Sequence, residues 1–173
     1  MKNISTNALC RVSLIAALYF CVSLVFAPIS FGNIQMRIAE ALTILPALSP
    51  LGVPGVTIGC ALANLYGAFT GANILGIMDV LFGTLATFIA ALLTRMLRNI
   101  TFKGLPIAST LPPITVNAIV IGAELAFVIG GKGKIALSLF FVCAIEVAAG
   151  QLLSCTILGL ILFKALKKGN IEI

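Results

Sequence analysis

Four of the five acidic residues of this 173-residue chain, Glu40, Asp79, Glu124 and Glu146, fall inside long apolar runs. A carboxylate at the centre of a lipid-facing helix costs ~3 kcal/mol or more, so four of them approach ~12 kcal/mol if uncompensated. That is comparable with the whole stability of a domain. They must face a bundle interior or water, and be paired, neutral or ligand-bound. Arg37, three residues before Glu40, is the one cation near them and is spaced to pair with it. Asp79, Glu124 and Glu146 are then left without a basic partner. Either burial keeps them neutral, or the site takes something cationic or rich in N–H donors. The amides Asn64, Asn117 and Gln151 add fixed donors and acceptors and favour the second reading.

Other chemistries are excluded. Histidine is absent, which removes His-ligated metal sites and Ser-His or Cys-His pairs. Cys10, Cys21, Cys60, Cys143 and Cys155 form no C-x-x-C pair and read as small buried hydrophobes. Gly130-Gly131-Lys132-Gly133-Lys134 does not make a G-x-x-x-x-G-K-[ST] phosphate loop. Neither paired aspartates on facing helices nor a serine nucleophile motif is present. The chain is not read as an enzyme, and no cofactor or metal is expected.

The elements that position these residues follow from composition. The chain is 61% hydrophobic and 9% charged, with a mean hydropathy of +1.20, against about 25% charged residues in soluble domains. At ~20 residues per crossing, six spans consume roughly 120 residues. The expected fold is therefore an all-α integral membrane bundle of about six transmembrane helices, forming one domain over 1–173. The predicted spans are Val12 to Pro28, a short Ile38 to Leu48, Val53 to Phe69, Leu75 to Leu97, Leu105 to Ile129 with Pro112 and Pro113 inside it, and Ile135 to Leu166. Val25-Phe26-Ala27 is a passable signal cleavage site, but Pro28 directly after it is a poor one, and the first run is kept as a helix. Residues 28–37 form an outer loop and a candidate lid, in which Gly32 gives freedom and Phe31 could stack on a ring.

The net charge of +6 belongs to helix ends rather than to a nucleic-acid surface. With the N-terminus inside, Lys2, Arg11, Arg95, Arg98, Lys103, Lys164, Lys167 and Lys168 lie inside, and Arg37, Lys132 and Lys134 outside. This bias places both termini in the cytoplasm, in a multi-pass protein of the plasma membrane. Polar groups then converge on the outer half of the bundle: Glu40, Asn64, Asp79, Asn117 and Glu124 lie there, with Glu146 near mid-depth and Gln151 below it. Small residues at four-residue spacing, Gly55, Gly59, Ala63, Gly67 and Gly71, make the third helix central. Ser13 and Ala17 form a weaker small pair on the first helix, suited to packing or to docking another membrane protein.

These residues resemble the QueT-type substrate-binding subunits of energy-coupling factor transporters. The segments that carry the resemblance are Ile34-Gln35-Met36-Arg37-Ile38-Ala39-Glu40-Ala41-Leu42-Thr43 with Pro46, Gly59-Cys60 with Leu62-Ala63-Asn64-Leu65, Asp79-Val80-Leu81-Phe82-Gly83-Thr84-Leu85-Ala86-Thr87, and Leu111-Pro112-Pro113 with Asn117-Ala118 and Glu124-Leu125. They cover essentially the whole chain in order. The resemblance implies six helices that capture a ligand from outside, under the loop between helices one and two. It implies a coupling transmembrane subunit and two cytoplasmic ATPases as partners, with Ser13 and Ala17 as the docking face. The implied cargo is a queuosine precursor: a 7-deazaguanine such as preQ0 or preQ1, or queuine. On this reading Glu124 and Glu40 meet the ring N–H edge, Asp79 a cationic substituent, and Asn64 and Asn117 supply fixed contacts. Helix six departs from the family pattern, with Gly150-Gln151 where an acid follows the glycine. A proton-coupled transporter for a small cationic nutrient is the competing reading of the unpaired acids.

Overall fold

The computed structural model describes residues 5–30, 36–131 and 136–169. In lipid every backbone N–H and C=O must be satisfied within the protein, which leaves helices as the spanning element for a chain of this pattern. The described residues are helical accordingly and contain no strand, only an isolated bridge between Phe102 and Leu105. We label the principal elements α1 (Thr6–Val25), α2 (Ile38–Leu48), α3 (Gly52–Thr70), α4 (Ile77–Met96), α5 (Leu111–Gly130) and α6 (Leu137–Lys168). All but α2 are long and apolar enough to cross a bilayer. The protein is an all-α membrane bundle.

The short α2 nevertheless covers about two thirds of the ~30 Å length of a helix such as α4. Its first seven residues, Ile38–Ile44, form a 3-10 helix, which rises ~2.0 Å per residue where an α-helix rises ~1.5 Å. With the α-helical turn Leu45–Leu48, the element reaches about 20 Å. Arg37 at its start is paired with Asp79 in the first turn of α4. Arg95 in the last turn of α4 donates from Nη1 to the Pro46 carbonyl at 3.1 Å. Two arginines thus peg α2 at both ends of α4, and the six-segment order expected from the sequence is kept.

The register of the remaining helices follows from close approaches. A Cβ on Gly55 would meet Ile15 Cβ at 2.7 Å, and one on Gly59 would meet Tyr19 Cβ at 2.6 Å, so α1 and α3 run parallel. The first members of the small-residue stripe therefore seat α3 on α1. Its last member, Gly71, packs on nothing; it ends α3 at φ 71°, a conformation that favours glycine. Antiparallel α5 and α6 meet where a Cβ on Gly122 would lie 2.8 Å from Ala144 Cα, and where Thr156 bonds to Thr110 at 3.1 Å. The threading brings the start of α1 and the end of α6 to the same end as Arg95, where Arg98, Lys164, Lys167 and Lys168 also gather. Pro112 and Pro113 lie in the first turn of α5, not inside it, because a proline N1 position loses no helix bond. The sequence reading also missed a π-helical stretch, Leu152–Leu158, within α6.

Gly59→Ala is expected to push α1 off α3, since the added methyl would fall 2.9 Å from the Ala16 carbonyl as well as against Tyr19. Overpacking of this kind costs about 1–3 kcal/mol. Thermal unfolding in detergent should show the loss; an unchanged midpoint would mean that the contact is slack.

Candidate functional site

The site starts at the N-terminal turn of α4. There Asp79 Oδ2 accepts from Arg37 Nη2 and, at 2.6 Å, from Asn73 Nδ2. Asn64 on α3 donates to the Asp79 backbone carbonyl at 2.8 Å. One turn on, Gly83 has no Cβ, and one built there would lie 1.8 Å from Asp79 Oδ1. Glycine at 83 is therefore a condition for this carboxylate to fold back against its own helix. Arg37 does not pair with Glu40 as the i, i+3 spacing suggested. It precedes the helical segment in an extended conformation (φ −84°, ψ 94°), so helical spacing does not govern its side chain, which crosses to α4 instead.

Glu40 is held from a different helix. Tyr19 on α1 donates its hydroxyl to Glu40 Oε1 at 2.5 Å. The Thr87 hydroxyl lies 3.4 Å from the same oxygen and 3.3 Å from Cys60 Sγ, while Cys60 Sγ in turn accepts from Asn64 Nδ2 at 3.5 Å. A continuous chain of polar contacts thereby joins Glu40 to Asp79. On the other side, Cys155 Sγ lies 3.0 Å from Gln151 Oε1 and 3.6 Å from the Glu40 carbonyl. The π-helical stretch begins directly after Gln151, so the irregularity of α6 coincides with the place where it meets α2.

The third carboxylate, Glu124 on α5, is buried and lies within electrostatic reach of Asp79 and Arg37. Neither of its oxygens has a hydrogen-bond partner among the described residues, and the same is true of Glu40 Oε2, Asp79 Oδ1 and Asn117 Nδ2. Buried polar groups are ordinarily satisfied. Among the described residues, donors fix one oxygen of Glu40 and one of Asp79, and none meets their other oxygens, either oxygen of Glu124 or the Asn117 N–H₂. What remains is acceptor-rich, complementary to a molecule that presents several N–H groups. No metal-binding group of three acids or thiols occurs among the described residues.

The nominated residues divide clearly. Arg37, Glu40, Asn64, Asp79, Asn117, Glu124 and Gln151 are all buried. Glu146 is not among them: it is exposed on α6, facing away from Ala144, which meets Gly122 of α5. Phe31 and Gly32 fall outside the described residues. Ser13 and Ala17 are exposed on α1, the least buried of the five long spans. The sequence reading missed Tyr19, Asn73, Thr87 and Gly83. Tyr19 carried a usable signal, being a hydroxyl-bearing ring in an otherwise apolar first run; Asn73, in a turn, carried none.

A lipid-facing helical bundle with a buried polar site near one end fits a membrane transport protein. The chain belongs to the QueT transporter family, whose model matches residues 9–168, nearly its whole length. That is a family of transporters, not of enzymes. No curated protein and no solved structure matches the chain.

The contrast between held and unheld acids has a measurable consequence. Asp79→Asn removes the charge that balances buried Arg37 and should cost about 3–5 kcal/mol. Glu124→Gln replaces a buried carboxyl group that no described residue satisfies, and should leave the stability of the ligand-free protein equal or higher. Paired thermal unfolding of the two variants checks this; equal destabilisation would show that Glu124 is a structural acid.

Proposed function

We propose that this chain is the substrate-binding subunit of an energy-coupling factor importer, and that it captures a 7-deazaguanine queuosine precursor from outside the plasma membrane. The observation that carries the reading is the set of unused acceptors on Glu40, Asp79 and Glu124 with the unused donor on Asn117. A guanine-like edge supplies adjacent N–H donors for a carboxylate and a carbonyl for an amide N–H₂. Glu40 Oε2 and Asp79 Oδ1 suit the N–H edge, and Asn117 suits the carbonyl. Because Arg37 already balances Asp79, a cationic substituent is better assigned to Glu124. Asn64, whose amide is spent on Asp79 and Cys60, positions rather than contacts. Gln151, joined to the Glu40 backbone carbonyl through Cys155, puts a neutral group where the family pattern has an acid.

The partners follow the same reading. The basic end that gathers Arg95, Arg98 and the lysines of α6 is the cytoplasmic end. The exposed small pair Ser13 and Ala17 on α1 is the docking face for a coupling transmembrane subunit, which carries two cytoplasmic ATPases. Exposure of small residues on a poorly buried span supports close helix approach at that face.

Calorimetric titration of the detergent-purified chain with preQ0, preQ1, queuine and guanine tests the cargo. Tight binding of a 7-substituted ring, with guanine much weaker, is expected, and Glu124→Gln should abolish the advantage of an amine-bearing ligand. No binding of any of the four would overturn the cargo. Reconstituted alone in liposomes under a pH gradient, the chain should accumulate nothing. Accumulation would favour a proton-coupled transporter instead.

A further inference from the structure

Glu124 also lines a cleft that the N–H edge of a flat ring does not need. Between α4 and α5, Met78, Phe82, Ile119, Ala123 and Phe127 line an open groove of about 370 Å³, and Glu124 is the one charged residue among the lining side chains. That is the size of a small-molecule subsite. Phe82, Ile119 and Phe127 form an exposed rim, whereas Glu124 is only 6% exposed. The cleft adjoins the first turn of α4 and the last turns of α5, so it opens at the Asp79 end of the bundle.

Two features of this cleft constrain what can fill it. Its carboxyl group has two buried oxygens without a described partner, a costly state unless a polar group of the occupant meets them. Its walls are hydrocarbon and aromatic, with almost no polar surface to hold water in order. A bare ammonium would satisfy the first feature and leave the second unfilled. A lipid acyl chain would do the reverse, filling the walls and stranding the carboxylate. An occupant that meets both has an amine at the Glu124 end and hydrocarbon beyond it.

We infer that the α4–α5 cleft is a specificity subsite for an amine-bearing substituent of the cargo that carries hydrocarbon beyond its nitrogen. The ammonium sits on Glu124, and the hydrocarbon lies between Phe82 and Phe127. The inference rests on the cargo reading above and sharpens it: among 7-deazaguanines, the chain selects a substituted aminomethyl group over a bare one and over a nitrile.

The test uses the full chain in detergent, titrated with preQ0, preQ1 and the N-cyclopentyl derivative of preQ1. The derivative should bind at least about tenfold more tightly than preQ1, since two or three buried methylenes suffice for that. Ala123→Leu from the cleft wall and, independently, Ile119→Trp from its exposed rim should each collapse that ratio towards one, with folding checked by thermal unfolding. If preQ1 binds but the derivative binds no better, the subsite falls and the cargo reading stands. A ratio that survives both filling variants also removes the subsite, because the hydrocarbon must then lie elsewhere. If no member of the series binds, the cargo reading fails and takes the subsite with it.

Discussion

The ion pair between Arg37 and Asp79 is the interaction on which the arrangement of this bundle turns. Both residues are buried, in a protein whose outer surface faces lipid, so neither charge has water to fall back on. A buried pair of this kind contributes little net stability compared with apolar packing, but losing one partner is expensive. Its effect is therefore on position. It fixes the start of α2 against the first turn of α4, while Arg95 fixes the Pro46 carbonyl at the far end. Between these pegs the chain must cover much of the length of α4 with few residues, and the 3-10 conformation of Ile38–Ile44 is the stretched form that does so. The fold of α2 then dictates where Glu40 points: towards Tyr19 and Thr87, deep in the bundle.

The same pair separates the acids by role. Asp79 is neutralised and doubly held, Glu40 is held by one oxygen, and Glu124 is held by none of the described residues. Such a gradient is unlike a structural network, in which every member is satisfied. It is what a binding site requires, because groups already committed to the protein cannot also read a ligand. Gly83 belongs to this logic although it has no functional group. Without a side chain there, Asp79 can turn one oxygen to Arg37 and Asn73 and keep the other clear of them.

Much of this was legible in the residues, and the limits have physical causes. Long apolar runs and the cost of charge in lipid revealed the helical bundle and marked Glu40, Asp79 and Glu124 as inward-facing. Pairing was less legible. The spacing of Arg37 and Glu40 holds for a residue inside a helix, and Arg37 stands just before one. Glu146 misled for a related reason: its depth along α6 could be estimated from sequence, but its direction depends on which face of α6 packs on α5, and the contact of Gly122 with Ala144 settles that. The π-helical stretch of α6 shifts the facing of residues beyond Gln151, which no regular periodicity anticipates. The stripe on α3 was read correctly as a packing surface through Gly55, Gly59, Ala63 and Gly67, all buried, whereas Gly71 serves the backbone and not a neighbour.

One helix serves both halves of the proposed mechanism. α1 contributes the Tyr19 hydroxyl to Glu40 on its buried face and presents Ser13 and Ala17 on its exposed face. Its own packing on the bundle depends on the glycines of α3, with Tyr19 seated directly over Gly59. A ligand that draws on Glu40 Oε2 would change the strength with which Oε1 accepts from Tyr19, since both oxygens share one charge. Any adjustment of Tyr19 is passed to a helix that is poorly buried and so least restrained by the rest of the fold.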